Sequence, residues 1–194
     1  SGVGLHKRGY RKLTGHAPLR ETLAAALVQL SYWNADRHLL DPFCGTGTIP
    51  IEAALIGKNL APGLHRKFAA DGWPIIGARL WKQAREEAED LARRDLTLQI
   101  IGTDIDKEAL SQARYHARQV GVENDIHFQQ KAFADLTSPR KYGCLITNPP
   151  YGERMGEQEE AEELYRQMPA VFAGLETWSI YVLTSHPKFE ELIG

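Results

Sequence analysis

LLDPFCGTGT, residues 39–48, joins a short apolar strand to a glycine-rich turn and to the start of an apolar helix. Apolar residues recur at helical spacing over residues 48–56, so the helix follows the turn directly. Gly45 and Gly47 allow a tight turn and a close approach of a ligand to the backbone. The free N–H groups at the start of the helix suit a carboxylate or a phosphate. The stretch therefore predicts a ligand-binding loop at the end of a strand.

Strand and helix alternate along the rest of the chain. Further strands are predicted at 98–102, 126–129, 144–147 and 179–183, and helices at 18–30, 75–94, 107–119 and 164–172, with another helix opening at Pro187. Strands that are separated by helices imply right-handed crossovers between parallel neighbours. The pattern predicts an α/β fold with a mostly parallel sheet and helices on both faces.

The composition fits one ordinary globular domain, which we place at residues 1–194. Charged residues make up 25% of the chain and hydrophobic residues 43%, which excludes disordered, collagen-like and disulfide-scaffold proteins. Twenty-three Lys and Arg against 25 Asp and Glu leave a net charge of -2, so the domain lacks the basic excess of a self-sufficient nucleic-acid binder. Binding of nucleic acid would depend on a local patch or on another module.

The two cysteines, Cys44 and Cys144, are too few for a disulfide scaffold, and neither has metal-ligand neighbours in the sequence. We therefore expect a reducing, cytoplasmic location and no bound metal. No apolar run is long enough to cross a membrane, and the start of the chain lacks a signal-like apolar region. We expect no membrane partner, and the sequence leaves the oligomeric state open.

Acidic residues follow three of the predicted strands, at the sheet edge where open parallel sheets bind ligands. Asp41 suits a ligand with a cationic group, and Pro50 takes the place of the third glycine of a dinucleotide fingerprint. Asp104, in the sequence GTDID, can accept hydrogen bonds from the ribose hydroxyls of an adenosine group. Asp106 would serve as a ligand contact or as the N-cap of the next helix. Asp135 would bind an adenine amino group or serve only as a turn residue.

The most specific motif is NPPY, residues 148–151, at the end of the fourth strand. Pro149 and Pro150 fix the backbone and remove two N–H donors, so fewer local donors compete for the carbonyl groups of the turn. Asn148 adds a side-chain carbonyl and Tyr151 an aromatic face. Two acceptors beside a ring can bind a planar group that carries an amine and stacks on the tyrosine.

Charge is unevenly distributed between the two ends of the chain. The cationic residues Lys7, Arg8, Arg11, Lys12 and Arg20 all precede the first acidic residue. They would contact phosphates or form a solvated terminus. The glutamates between residues 153 and 163 are interpreted as the solvated face of a helix.

Three motifs, DPFCGTGT, GTDID and NPPYGER, resemble in this order the S-adenosylmethionine (SAM) binding and catalytic motifs of class I, Rossmann-like methyltransferases that modify exocyclic amines. Four further segments resemble the catalytic domain of THUMP-containing RNA methyltransferases, especially the bacterial 23S rRNA guanine-N2 methyltransferase group. They are LHKRGYR at 5–11, HAPLRETLAAAL at 16–27, IPIEAALIG at 49–57 and APGLHRKF at 61–68. The resemblance covers essentially the whole chain.

The resemblance implies that SAM is the cofactor and that RNA, specifically 23S rRNA, is the partner. The cofactor-binding residues would be Ala17, Pro18, Asp41, Phe43, Gly45, Thr46, Gly47, Thr48, Asp104, Ile105, Asp135 and Asn148. The catalytic residues would be Asn148, Pro149, Pro150 and Tyr151. Acceptors at Asn148 and at the Pro149 carbonyl would favour an amine geometry that localises the lone pair on nitrogen, so no strong general base is required.

Several alternatives stay open. An adenine-N6 DNA methyltransferase or a glutamine-N5 protein methyltransferase would use the same NPPY chemistry, and only the segments KRGYR and APLRE speak against them. A tRNA guanine-N2 methyltransferase is closer still, whereas a non-catalytic nucleotide- or RNA-binding module would not need NPPY. The resembled family also carries an N-terminal THUMP region and a C-terminal antiparallel hairpin, and we expect neither in this chain.

Overall fold

The computed structural model describes residues 4, 7–11, 19–64, 66–152 and 157–194. Its sheet has five strands: β1 (Leu39–Asp41), β2 (Ile100–Asp104), β3 (Ile126–Gln130), β4 (Cys144–Thr147) and β5 (Ser179–Val182). The strand order is β3-β2-β1-β4-β5, and every neighbouring pair is parallel. The predicted parallel α/β sheet is confirmed.

Six α-helices accompany these strands within the described residues: α1 (Glu21–Leu30), α2 (Thr48–Gly57), α3 (Ala78–Asp90), α4 (Lys107–Gln119), α5 (Glu157–Ala173) and α6 (Phe189–Ile193). Helix α4 has the predicted bounds, and the Asp106 side chain caps it by accepting a hydrogen bond from the Glu108 N–H. Helix α1 begins later than predicted, because Arg20 is extended and forms the N-cap. Pro18, the predicted start of this helix, lies outside the described residues.

Helix α3 is shorter than the predicted helix at 75–94. Residues 73–76 form a turn instead, in which the Ile76 N–H donates to the Trp73 carbonyl at 3.0 Å. Trp73 is exposed, whereas Trp81 stacks on Phe68 with the ring centroids 5.7 Å apart. None of the α3 residues is buried, because this helix lies outside the two main cores.

Both faces of the sheet are covered. Leu39 packs on one face with Ile51 of α2 and Ala113 of α4, and Leu40 packs on the other with Met168 of α5. Neighbouring residues of a strand point to opposite faces, so these two leucines belong to different cores. Burial of such a leucine contributes roughly 1.5–3 kcal/mol relative to leaving it exposed.

The strand order places a crevice beside β1. From β1 the chain passes to β2 and β3 on one side of the sheet, and β4 and β5 lie on the other side. The connections therefore diverge between β1 and β4, and ligands of such sheets bind outside the carboxyl ends of the strands at that point. The loops that follow β1, β2 and β4 are the three that carry the predicted motifs.

Candidate active site

A cavity of about 740 Å³ opens at the carboxyl ends of β1, β2 and β4. Its lining includes nine of the predicted residues: Asp41, Phe43, Gly45, Thr46, Thr48, Asp104, Ile105, Asn148 and Pro150. The structure therefore brings most of the predicted cofactor residues and two of the four acceptor residues, Asn148 and Pro150, to one cavity. The lining does not include the other described predicted residues: Gly47, Asp135, Pro149 and Tyr151. Ala17 and Pro18 lie outside the described residues, so their predicted role stays a prediction.

Residues 42–47, here called the glycine loop, connect β1 to α2. The Gly45 N–H donates to Asp104 Oδ2 at 2.8 Å, and the Gly47 N–H donates to the Cys44 carbonyl at 2.7 Å. Both glycines have positive φ, +50° at Gly45 and +83° at Gly47. A Cβ at Gly47 would lie 2.9 Å from the Cβ of Ala113, whereas a Cβ at Gly45 would meet nothing within 4 Å. Gly47 is thus required for packing on α4, and Gly45 leaves open space at the cavity.

Two side chains that were not predicted as site residues support this region: His116 bonds to the glycine loop, and Arg11 bonds to Thr48, the residue that follows the loop. His116 is fully buried, and its Nδ1 lies 3.2 Å from the Thr46 carbonyl. Burial lowers the pKa of His116, so the neutral ring donates its Nδ1 proton to that carbonyl. Arg11 donates to the Thr48 hydroxyl at 2.6 Å and to the Leu19 carbonyl at 2.7 Å.

The cationic residues at the start of the chain divide into two groups. Arg11 is engaged at Thr48, and Arg8 forms an ion pair with buried Glu52 at 3.3 Å. Lys7 and Arg20 are exposed, and Lys12 lies outside the described residues. Part of the predicted phosphate-binding charge is therefore used within the fold.

Asp104 is oriented by two backbone donors. Its Oδ2 accepts from the Gly45 N–H at 2.8 Å and its Oδ1 from the Asp106 N–H at 3.0 Å. Each carboxylate oxygen has a second lone pair, which remains for a hydroxyl of a ligand. Ile105 beside it is 69% exposed and lines the cavity, so it presents an apolar surface next to the carboxylate. This pairing suits a ribose that is attached to a flat ring.

Asp41 connects the ends of β1 and β4. It is 1% exposed, and its Oδ1 accepts from the Thr147 hydroxyl at 2.7 Å and from the Phe43 N–H at 3.2 Å. Burial raises the pKa of Asp41 to about 7. A cationic group in the cavity would favour its ionised form, because opposite charges attract strongly in a water-poor site.

Residues 148–152, here called the acceptor loop, follow β4. The Tyr151 hydroxyl donates to Asn148 Oδ1, a contact that the prediction of Tyr151 as an aromatic face did not include. Pro149 is buried, and the Pro150 carbonyl accepts from the hydroxyl of Tyr165 on α5 at 2.6 Å. Tyr165 was not predicted from the sequence, because a tyrosine inside a helix has no local feature that separates a residue holding a loop from an ordinary core residue.

The loop after β3 contributes an aromatic wall. Phe133 stacks on Phe43, with ring centroids 4.9 Å apart, and it lines the cavity with Ala132 and Ala134. Asp135 ends the same 3-10 turn, Phe133–Asp135, and is exposed. Its predicted contact with an adenine amino group stays a prediction.

The part of the chain that the structure describes has neither a membrane-spanning helix nor a cluster of metal-binding side chains. No helix there is long and apolar enough to cross a bilayer. Those same residues contain no group of three or more His, Cys, Asp or Glu side chains that could hold a metal ion.

Comparison with known proteins identifies relatives with the same fold. Residues 8–194 match the family described as RMKL-like, methyltransferase domain. The chain is 50% identical over 194 residues to the "Putative RNA methyltransferase YpsC" of Bacillus subtilis strain 168, covering 100% of this chain and 50% of the relative. It thus spans about half the length of that relative.

Two solved structures superpose closely on the chain. One is described as a predicted N6-adenine-specific DNA methylase from Listeria monocytogenes, with 50% identity, a TM-score of 0.95, and coverage of 100% of this chain and 51% of the other. The second is SMU.472, described as "a putative methyltransferase complexed with SAH", with 42% identity, a TM-score of 0.91, and coverage of 97% and 49%. These likenesses confirm the Rossmann-like methyltransferase fold. The chain belongs to the RMKL-like methyltransferase family.

Proposed function

We propose that this chain catalyses SAM-dependent methylation of the exocyclic N2 amine of a guanosine in 23S rRNA. The observation that carries the proposal is the joint lining of one cavity by Asp41, Asp104 and Asn148. The site combines three groups: the Asp104 carboxylate for a ribose, the Asp41 carboxyl group for a cation, and the Asn148 amide oxygen for an amine. This is the set of groups that a methyl donor and an exocyclic amine require.

The cavity fits SAM in its donor set. Asp104 would accept from the ribose hydroxyls, Ile105 would cover the adenine, and the space in front of Gly45 would admit the methionine end. Membership of a methyltransferase family, together with the SAH complex of SMU.472, supports SAM as the cofactor that the sequence predicted. When bound, SAM supplies a methyl group that is already activated by a positively charged sulfur.

The acceptor loop would grip the target amine. The Asn148 amide oxygen and the Pro149 carbonyl would accept its two N–H protons, which favours a lone pair localised on nitrogen. Alignment of this kind is worth roughly 7–11 kcal/mol of the barrier.

RNA is favoured as the substrate by one relative. The Bacillus subtilis protein, 50% identical to this chain, is described as a "Putative RNA methyltransferase". The upstream segments LHKRGYR and HAPLRETLAAAL resemble the 23S rRNA guanine-N2 group and not the DNA or protein methyltransferases. The target base would have to leave its stack to reach Asn148, which costs a few kcal/mol unless it is already unpaired.

DNA adenine is the second candidate acceptor. The relative from Listeria monocytogenes is described as an N6-adenine-specific DNA methylase, and the acceptor loop would accept an adenine amine equally well. A tRNA guanine-N2 amine and a glutamine amide would also fit these acceptors.

The substrate is tested by incubating the protein with methyl-labelled SAM and, separately, unmodified 23S rRNA, tRNA and DNA. We expect the label in N2-methylguanosine of the rRNA, identified by nucleoside mass spectrometry. Label found instead in N6-methyladenine of DNA would overturn the substrate assignment and leave the methyltransferase assignment intact.

A further inference from the structure

The acceptor loop has few backbone donors with which to bond to its neighbours. Pro149 and Pro150 carry no N–H, so this part of the loop can be tied to neighbouring elements only through its carbonyl groups. Up to Thr147 the backbone is held by the sheet, where the Leu183 N–H donates to the Thr147 carbonyl at 2.9 Å. Beyond this point a donor from outside the loop is needed to fix the proline pair.

Tyr165 supplies that donor. Its hydroxyl donates to the Pro150 carbonyl at 2.6 Å, and the residue is 0% exposed. Its ring makes edge contacts with His186, at 5.5 Å between centroids, and with Phe189, at 5.0 Å. Tyr165, which lies on α5, therefore packs against the segment after β5 and against α6. This packing leaves its hydroxyl little freedom to move away from the Pro150 carbonyl.

We propose that Tyr165 is a positioning residue for methyl transfer, which holds the acceptor loop through the Pro150 carbonyl. The inference rests on the proposed function, in which Asn148 and the Pro149 carbonyl receive the amine. Proline fixes φ at both positions, so a fixed Pro150 carbonyl restricts the peptide that precedes it. Tyr165 does not meet the substrate; it sets where the two acceptors stand.

This role differs from that of an ordinary core residue in a measurable way. Loss of the hydroxyl alone leaves the ring contacts with His186 and Phe189 in place, so the fold is retained. Loosening of the acceptor loop misplaces the amine relative to the methyl group, and small misplacements of reacting groups have large effects on rate. The glycine loop makes no use of Tyr165, so the affinity for the cofactor is not expected to change.

The test compares Tyr165→Phe with Tyr10→Phe. Tyr10 is a matched control because it is also buried and its hydroxyl also donates, at 3.0 Å, to Glu52 in the middle of α2. We expect Tyr165→Phe to lower kcat for methyl transfer about 10-fold to 100-fold, with SAH affinity by calorimetry unchanged. Tyr10→Phe is expected to lower the melting temperature and to keep kcat.

Wild-type kcat in Tyr165→Phe would overturn the inference. Equal loss of kcat in both variants, in proportion to the loss of melting temperature, would also overturn it, because the effect would then be one of stability. If the wild-type protein binds SAH but transfers no methyl group to RNA, the proposed function fails and the inference fails with it. If the wild type is active and Tyr165→Phe has the same kcat, only the positioning role of Tyr165 is contradicted and the proposed function stands.

Discussion

The glycine loop and the acceptor loop meet at one cavity but are held in place differently. Asp104 of β2 and His116 of α4 form hydrogen bonds with the glycine loop, and Arg11 from the start of the chain bonds to Thr48, the residue that follows the loop. The acceptor loop, with its N–H groups removed at two prolines, reaches α5 through the hydroxyl of Tyr165. The difference suits their proposed roles. The glycine loop would bind the same cofactor in every cycle and is built into the core, whereas the acceptor loop would receive a large substrate and lies nearer the surface.

Gly47→Ala tests how tightly the glycine loop is built into the core. We expect a loss of about 2–5 kcal/mol in unfolding free energy, from about 1–2 for a left-handed alanine and about 1–3 for overpacking against Ala113 and Phe128. Chemical denaturation measures it. Gly45→Ala is the matched control, since its Cβ meets open space; it should lose only about 1–2 kcal/mol but weaken SAM binding. Equal destabilisation by the two changes would contradict this division of roles.

Asn148→Ala tests the acceptor loop. Removal of one preorganised polar contact is expected to lower turnover by roughly 10²–10³, with the effect concentrated in kcat. Asn34→Ala serves as control, because this exposed asparagine precedes β1 at the opposite edge of the sheet. Steady-state kinetics of both variants decide, and wild-type turnover in Asn148→Ala would exclude it as the amine acceptor.

Asp104→Ala tests the cofactor contact that the sequence predicted. The loss of hydrogen bonds to a charged group should weaken SAM binding by about 1.5–3 kcal/mol, measured by calorimetry. Asp106 also lines the cavity, but the hydrogen bond that its side chain makes is the cap of α4, so Asp106→Ala should cost about 1 kcal/mol in stability with a smaller effect on SAM binding. If Asp106→Ala weakened SAM binding as much as Asp104→Ala, ribose recognition could not be assigned to Asp104.

Substitution of Asp41 is expected to have the smallest effect, a change in how stability and SAM affinity depend on pH. Its folded-state pKa of about 7 lies above the unfolded value near 3.8, so the folded protein binds the extra proton and stability from this group is lost as pH rises through 7. Asp41→Asn keeps the acceptor for Thr147 and Phe43 without the charge, so its melting temperature should rise relative to that of the wild type between about pH 4 and pH 7 and the difference should level off at higher pH. Its SAM affinity should be lower at pH 8, and a pH-independent difference between the two proteins would contradict the role of the charge.

The fold and the motifs were accessible from the sequence because the signals are local. Strand and helix periods, the turn chemistry of Gly45 and Gly47, and the capping role of Asp106 all lie within a few residues. Even the bounds of α4 followed from such signals. The polar groups of the site then come together because parallel strands place their carboxyl ends at one edge of the sheet.

The side chains that hold the two loops in place could not be predicted from local sequence signals. Arg11 meets Thr48 across 37 positions, His116 meets Thr46 across 70, and Tyr165 meets Pro150 across 15. From the sequence alone, an arginine among other cations is interpreted as a solvated charge, and a histidine or tyrosine within a helix is interpreted as a packing residue. Nothing local distinguishes a core side chain from one whose single polar atom holds a loop carbonyl.

The most direct test of a single cavity for cofactor and acceptor is one labelling experiment on three proteins. Wild type, Asp104→Ala and Asn148→Ala are each incubated with unmodified 23S rRNA and with methyl-labelled SAM over a range of concentrations up to saturation. We predict label in N2-methylguanosine with wild type, recovery of transfer in Asp104→Ala as SAM is raised, and no such recovery in Asn148→Ala. Full restoration of Asn148→Ala by excess SAM would contradict the account, because Asn148 would then serve only the cofactor.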